Sequence, residues 1–293
     1  MRELRDEPLS RQGYWRVGGP MARFVVVDTA EELAWIGEIE LLLGNGSNLL
    51  APDTGLPGTV VRLGGEFRAL DVVEEEGESV VIRAGAGLHN SVLLSRLDKL
   101  DLGGLGCLAG VPGTVGGAVA MNAGTALGEI ADRLVAIEGW IEGRSLHLSR
   151  QELHMSYRHG DIPPGLVVTA AFLRASRDAV AAERERVAQH LQRRKATQPL
   201  ELPSCGSVFR NPPGDHAGRL VESVGLKGHA IGGARISERH GNFIVNGGGA
   251  TALDVMRCIR LAWDTVYRET GVRLVPEVRV VGQWPPELWP LPP

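Results

Sequence analysis

The chain has 293 residues, of which 43% are hydrophobic and 23% charged, and it carries a net charge of −4. This is the composition of a soluble globular protein with room for two or three compact units, and the small charge offers no field that would recruit nucleic acid. The three cysteines, Cys107, Cys205 and Cys258, share no metal-type spacing and read as free thiols in a reducing compartment.

The first stretch, residues 1 to 17, is polar and reads as an entry strap, without the apolar core of a signal peptide; a cytoplasmic protein is expected. Val17-Gly18-Gly19-Pro20 makes a turn, and Phe24 to Val27 a short strand. Thr29-Ala30-Glu31-Glu32 has capping-box spacing, so a helix should begin there. Leu41 to Leu43 ends a buried strand and runs into Gly44-Asn45-Gly46-Ser47-Asn48-Leu49. Strands are expected at Thr59–Leu63, Phe67–Val73 and Val80–Ala84, with Glu76-Gly77 as a hairpin turn, followed by a helix over Leu88–Leu97. Leu134–Ile141 with Ser145–Leu148 reads as a strand pair, and Val167–Leu173 as a further strand. Asp178–Lys195 is rich in helix formers and suits a connector. Beyond it come helices at Ala217–Val224 and Thr251–Glu269, the latter with Met256, Ile259, Trp263 and Val266 on one face and Gly271 as its stop. Val272–Val281 alternates like a strand, interrupted by Pro276, and the tail WPPELWPLPP either straps on through its tryptophans or is loose.

These elements predict an α+β protein: a unit of two small sheets over residues 18–178, a connecting helix at 179–195, a smaller α+β unit at 196–283 and the tail at 284–293. A cleft between the smaller unit and the larger one is where a substrate is expected. Two loops invite a ligand. The stretch Gly103–Gly124, GGLGCLAGVPGTVGGAVAMNAG, holds eight glycines and almost no charge. Such a run aims several N–H groups into one concavity, which suits a phosphate; close packing in which glycine only saves space is the other reading. It is not a G-x-G-x-x-G fingerprint. Gly44–Asn48 is the second loop, either a ligand loop or an ordinary Asn-Gly turn. Together they suggest one large phosphorylated ligand held between two layers. The glycines and Pro112 in the first stretch argue against a membrane span. Eight scattered histidines without H-E-x-x-H or C-x-x-C spacing argue against a metal site.

GNGSNLL, PGTVGGAVAMNAG, SYR, CGSVFRNP, LVESVGLKG, HGNFIVN and PEVRVVG follow one another in this order. In that series the chain resembles the UDP-N-acetylenolpyruvoylglucosamine reductases over about Gly18 to Gly282. The resemblance implies a two-lobed FAD-binding domain of the vanillyl-alcohol-oxidase (PCMH) type, followed by a smaller substrate-binding domain. It implies non-covalent FAD, NADPH as co-substrate and UDP-N-acetylglucosamine enolpyruvate as substrate, with a monomeric protein and neither nucleic acid nor membrane as partner. Carried over residue by residue, it places Gly44, Asn45, Gly46, Ser47, Asn48, Leu49, Gly110, Val111, Pro112, Gly113, Thr114, Gly116, Gly117, Ala118, Asn122, Ala123 and Gly124 at the cofactor. Arg158 is implied as charge stabiliser for the substrate carboxylate, Ser207 as proton donor, and Glu277 as an aid to the enol or a proton relay. Tyr157, Lys195 and Asn211 are implied at the substrate.

Each of these has a plainer alternative. Of 31 basic residues only Lys99, Lys195 and Lys227 are lysine, so Arg158 is one arginine among many and could be a surface ion-pair partner. Ser207 could cap a turn. Glu277 could be an exposed strand-end carboxylate, and Lys195 a solvated lysine ending a basic helix. Lys227, His240 and Asn242 lie in matched stretches without an assigned role. Several positions depart from the family pattern. Cys107 stands where an acid is expected after Gly106, Thr125-Ala126-Leu127 replaces a small-Tyr-Gly run, and His159-Gly160 follows the arginine. The short stretch between Val167 and Val187 places the chain in a subclass without a tyrosine-bearing insert. The rivals to this reading are another FAD oxidoreductase of the same fold acting on a hydroxy acid or sugar, and a non-catalytic nucleotide-binding module.

Overall fold

The computed structural model describes residues 1–291. In chain order its elements are β1 (Arg2–Pro8), β2 (Pro20–Val27), α1 (Ala30–Ala34), β3 (Leu41–Leu42), β4 (Leu49–Leu50), β5 (Leu56–Leu63), β6 (Leu70–Glu76), β7 (Ser79–Gly85), α2 (Asn90–Lys99), α3 (Val115–Ala120), β8 (Gly124–Thr125) and β9 (Gly128–Glu129). They continue with β10 (Leu134–Ile141), β11 (Arg144–Ser149), β12 (Val167–Ser176), α4 (Val180–Thr197), α5 (Ala217–Ser223), β13 (Ala230–Ile231), β14 (Ala234–Ile236), β15 (Ile244–Asn246), α6 (Ala252–Thr270) and β16 (Arg279–Val280). The order of strands and helices makes the α+β class expected from the sequence.

Two compact units form, and neither is a continuous stretch. One comprises Met1–Leu4, Phe24–Asn45 and Thr59–Arg193; the other comprises Arg5–Arg23, Gly46–Gly58 and the chain from Arg194 onward. The contiguous division at residues 178 and 196 therefore misses two early segments. Each is fixed in the second unit by hydrogen bonds no local pattern announces. Trp15 Nε1 donates to the Ile244 carbonyl at 2.6 Å, and Asn246 Nδ2 to the Trp15 carbonyl at 2.9 Å. Asp53 accepts from the Ala252 and Leu253 N–H groups at 2.8 and 2.9 Å, so an acid from residues 46–58 closes the N-terminus of α6.

In the first unit the five-stranded sheet runs β11-β10-β12-β7-β6, every neighbouring pair antiparallel. Alternation puts Val80, Ile82 and Ala84 of β7 and Ala171, Leu173 and Ala175 of β12 in the core, beneath Leu93 and Leu97 of α2 and Val115 and Val119 of α3. The other sheet has the order β1-β2-β5-β3, with Leu41 and Leu42 parallel to Val60 and Val61. The expected entry strap is thus in part a strand, β1, at a sheet edge. The predicted strand at Phe67 starts later, at Leu70, because Gly65–Arg68 closes into a 3-10 turn.

The second unit lays α6 on the three-stranded sheet β13-β14-β15, with α5 packed against α6. The α6 boundaries follow the sequence: Thr251 and Asp254 form a capping box, and Gly271 takes φ 71° at the C-cap. Val255, Met256, Ile259, Trp263 and Val266 are all buried on its inner face. Each such side chain contributes about 1.5–3 kcal/mol. The predicted strand over Val272–Val281 shrinks to β16, which pairs in parallel with Leu49 and Leu50. Pro276 has no N–H to donate, and it meets Phe209 in a single isolated bridge. The tail packs Trp284, Leu288, Trp289 and Leu291 against the second core; its last two residues lie outside the described residues.

Candidate active site

In the first unit the glycine-rich segment is a turn that feeds α3. Thr114 caps that helix, its Oγ1 accepting from the Gly117 N–H at 3.3 Å. The turn is sewn to its neighbours: Val115 N donates to Leu88 O and Gly116 N to Ala86 O, both at 2.9 Å. Asn90 N donates to Gly113 O at 3.0 Å, and Asn90 Nδ2 to Val111 O at 3.3 Å. Gly110 and Gly113 take φ of 71° and 130°. Among the described residues, the N–H groups of Gly113 and Thr114 meet no protein acceptor, and the buried Asn90 Oδ1 is likewise unmet. Gly110, Pro112 and Gly117 are exposed. An uncharged, open turn with spare N–H donors fits the diphosphate of a dinucleotide. A Cβ on Gly44 would lie 2.9 Å from Thr114 Oγ1, so Gly44 closes directly over the same turn. Arg62 holds Gly44 by donating from Nε to its carbonyl at 3.0 Å. Burial, with Arg68 and Arg2 nearby, pushes that guanidinium down to about 10.

The second Gly/Asn loop divides. Gly44 and Asn45 stay with the first unit, whereas Gly46–Leu49 belong to the second. There Gly46 O accepts from Tyr14 N at 3.0 Å, Asn48 Nδ2 donates to Glu277 O at 3.0 Å, and Asn48 O accepts from Arg279 N at 3.1 Å.

Gly124 meets the arginine directly, and Asn122 braces the turn that carries it. Asn122 is buried, with φ 41°. Its Nδ2 donates to Glu129 Oε2 at 2.7 Å and to Ser156 O at 2.9 Å, and its Oδ1 accepts from Ala131 N at 3.2 Å. Ala123 N donates back to Ala118 O. Gly124 O accepts from Arg158 NH2 at 3.1 Å. Tyr157 and Arg158 form the tip of a two-residue turn closed by paired 2.9 Å bonds between Ser156 and His159. The turn lies on the end of α3: a Cβ on Gly160 would come within 2.1 Å of Val119 O, which only glycine permits. Arg158 has φ 56°; its guanidinium sits 4.9 Å from the Tyr157 ring centroid and 3.9 Å from Glu129 Oε1. Its side chain is only 18% exposed, so the ion pair that the plainer alternative expects is present but lies away from the open surface.

In the second unit Ser207 and Asn211 line a pocket of about 290 Å³ together with Arg219, Glu222, His240 and Asn242. Buried Asn242 builds its wall. Its Oδ1 accepts from Phe209 N at 2.9 Å, its Nδ2 donates to Phe209 O at 2.7 Å, and its own carbonyl accepts from Val208 N at 2.9 Å. That clamp fixes the segment carrying Ser207. Among the described residues the Ser207 hydroxyl has no hydrogen-bond partner, which removes the turn-capping alternative. Asn211 Oδ1 caps α5 by accepting from Ala217 N at 3.1 Å, leaving its Nδ2 for a ligand. His240 Nδ1 accepts from Asn242 N at 3.2 Å, which assigns the neutral ring's proton to Nε2. Burial, with Lys227 near, holds its pKa down. Glu277 N donates to Val208 O at 2.7 Å, next to Ser207 in the chain. Lys195 lies exposed in the last turn of α4 and does not line the pocket.

Residues 198–281 match the family model of the UDP-N-acetylenolpyruvoylglucosamine reductase C-terminal domain, and residues 27–140 that of an FAD binding domain. The chain is 43% identical to the UDP-N-acetylenolpyruvoylglucosamine reductase of Moorella thermoacetica over 96% of its own length and 93% of that protein. It belongs to the UDP-N-acetylenolpyruvoylglucosamine reductase family. The reductase of Anaeromyxobacter dehalogenans is 41% identical over 97% of the chain and 87% of its own length. The crystal structure of the Thermus caldophilus enzyme superposes with a TM-score of 0.84 at 39% identity, covering 97% of this chain and 98% of that one. Membership of the reductase family makes the chain an FAD-dependent oxidoreductase, and the open turn at Gly113 fits that cofactor.

Within this family frame, three structural residues escaped the sequence reading. Glu129 balances Arg158, Arg62 holds Gly44, and Asn242 sets Ser207. Glu129 carried a signal as an acid just past the charge-poor stretch, and Asn242 as part of the matched stretch HGNFIVN. Cys107 is buried in the first core, and burial drives its thiol up to about 12, with Asp132 and Glu183 adding to the rise. Cys205 and Cys258 are likewise buried and pushed up to about 12. Among the described residues no His/Cys/Asp/Glu cluster could hold a metal, and no helix is long and apolar enough to cross a membrane.

Proposed function

We propose that this chain reduces UDP-N-acetylglucosamine enolpyruvate to UDP-N-acetylmuramate with NADPH and FAD. The chemistry FAD supplies when bound is a hydride relay from NADPH to the methylene carbon of the enolpyruvyl group. The spare amides of Gly113 and Thr114 hold the diphosphate, with Gly44–Leu49, Gly110–Pro112 and Gly116–Ala118 lining the cofactor. Addition of hydride leaves an electron pair on the neighbouring carbon, delocalised into its carboxylate. Arg158 stabilises that charge; its guanidinium is already oriented by Gly124, Tyr157 and Glu129. The Ser207 hydroxyl gives its proton to the carbon, completing the saturated lactyl ether, and Glu277 returns a proton to the serine. One hydride and one proton are consumed, and NADPH leaves as NADP⁺. Asn211, Tyr157 and Lys195 bind the sugar nucleotide.

The observation that carries this mechanism is the Ser207 hydroxyl, unpartnered among the described residues in a polar pocket whose wall Asn242 makes rigid. The reading extends to a monomeric, cytoplasmic enzyme of peptidoglycan precursor synthesis, and through the cell wall to cell shape and division. Three buried free thiols suit that reducing compartment. The test is an anaerobic absorption titration. The purified protein should be yellow, bleach with NADPH and regain colour on addition of the enolpyruvyl sugar nucleotide. A protein that bleaches and then ignores that substrate would refute the proposed reaction.

A further inference from the structure

The glycine loop is anchored by a carboxylate that the loop itself does not carry. Glu183, on the first turn of α4, accepts hydrogen bonds from the N–H groups of Gly104 and Gly106, the latter at 2.5 Å. Its Oε1 fills the position a side chain at residue 106 would take: a Cβ there would lie 2.6 Å from it and 3.0 Å from Val187 Cγ2. Gly106 is not in the left-handed region, so its own backbone would accept a side chain. The family resemblance implies an acid just after Gly106, and Cys107 stands there, its side chain buried in the core. The loop thus lacks an acid of its own and receives one from a helix 77 residues further along the chain.

What Glu183 holds leads straight to the spare amides. Ala109 N donates to Gly106 O at 2.9 Å, Leu108 N to Leu105 O at 3.0 Å and Val111 N to Leu108 O at 3.0 Å. Leu105, Cys107, Leu108 and Ala109 are all buried, so the segment has little room to adjust. Asn90 then grips the far end through Val111 O and Gly113 O. The turn at Gly113 is therefore set from two sides, by Glu183 before it and Asn90 after it.

We propose that Glu183 is a positioning residue for FAD: its carboxylate, brought in by α4, stands in for an acid missing from the loop and fixes the turn that presents the Gly113 and Thr114 amides. This rests on the assignment of that turn to the FAD diphosphate. The test uses apoprotein of the parent, Glu183→Ala, Glu183→Gln, Gly106→Glu and the Gly106→Glu/Glu183→Ala pair. FAD dissociation constants are measured well below every melting temperature, with amide exchange across residues 104–117.

Losing two charge-assisted bonds should weaken FAD binding by Glu183→Ala about tenfold or more, with Glu183→Gln in between. The Gly104 and Gly106 amides should exchange faster in the apo state. Gly106→Glu alone should bind poorly, because two carboxylates then compete for one space. The pair should recover the parent constant to within about threefold. A purely structural clamp would lower the melting temperature while the folded protein bound FAD as before. Glu183→Ala and Glu183→Gln constants within about twofold of the parent, or no recovery in the pair, would overturn the proposal. If FAD protects no amide between Gly110 and Gly117 in the parent, the assignment of the turn fails, and the proposal fails with it.

Discussion

Around Gly113 the polar side chains, Asn90 Oδ1 apart, are engaged with the protein and the backbone is open; around Ser207 the arrangement is reversed. Thr114 Oγ1, Arg62 and both ends of Asn122 are committed to neighbouring main chain or carboxylates, while the amides of Gly113 and Thr114 face no acceptor. In the pocket, Asn242 closes the main chain of Val208 and Phe209, while the Ser207 hydroxyl and Asn211 Nδ2 stay available. A ligand that needs only shape and N–H donors can be held by backbone, which no single side-chain truncation removes. Proton transfer to carbon needs a group with its own acidity, which backbone does not supply. Substitutions should therefore act through fit in the first region and through chemistry in the second.

The sharpest way to break this contrast is Ser207→Ala. It should leave the reduction of bound FAD by NADPH unchanged and slow reoxidation by the enolpyruvyl substrate by about 10²–10⁴-fold. The melting temperature should not move, since the hydroxyl has no hydrogen bond to lose. Stopped-flow measurement of each half-reaction decides; equal loss in both would make Ser207 a structural residue.

Next in size is a pair of neighbouring glycines in α3. Gly116→Val places a Cβ 2.9 Å from Ala86 Cβ and 3.2 Å from Ala86 O. Overpacking of that kind costs about 1–3 kcal/mol and should reduce FAD retention accordingly. In Gly117→Ala the nearest protein atom is Thr114 Oγ1 at 3.6 Å, so no protein atom is overpacked and retention should fall less than in Gly116→Val. Flavin content per protein, read from the visible spectrum, separates them, and equal content would move the cradle elsewhere.

The smallest effect concerns pH and belongs to the pocket. His240 has a depressed pKa in the folded protein, from burial first and Lys227 second, with Glu222 acting in the opposite sense. Its neutral ring contributes stability in full above the unfolded pKa of about 6.5, and that contribution is lost as pH falls from there toward the folded pKa. Protonation would also put a hydrogen on Nδ1, against the Asn242 N–H. Denaturant titrations at pH 7.5 and 5.5 should show a smaller acid loss in His240→Asn, which keeps an acceptor but cannot titrate. An unchanged loss would assign the slope to other groups, such as His89, whose pKa burial also lowers.

Much of the fold was legible because local rules sufficed. The Thr29 and Thr251 caps, the Gly271 stop and the apolar strand runs of β7 and β10 depend on neighbours within a few residues. The strand expected over Val272–Val281 failed because Pro276 limits its middle to a single bridge with Phe209, and only its last residues form a ladder, with Leu49 and Leu50. The candidate site divides in the same way. The glycines at 110, 113 and 116 stand out by composition, but Glu129, Arg62 and Asn242 are ordinary residues until folding gives them their neighbours.

The sequence by itself determined the α+β class, most element boundaries, the glycine-rich turn and, through seven ordered motifs, the family. These rest on period, cap chemistry and spacing, which are written in adjacent residues. Only the tertiary structure decided that residues 5–23 and 46–58 join the second unit, that Asn122 supports Arg158, and that an acid from α4 fills the space beside Gly106. Each of those depends on which distant groups satisfy one another's hydrogen bonds, and sequence separation carries no record of that.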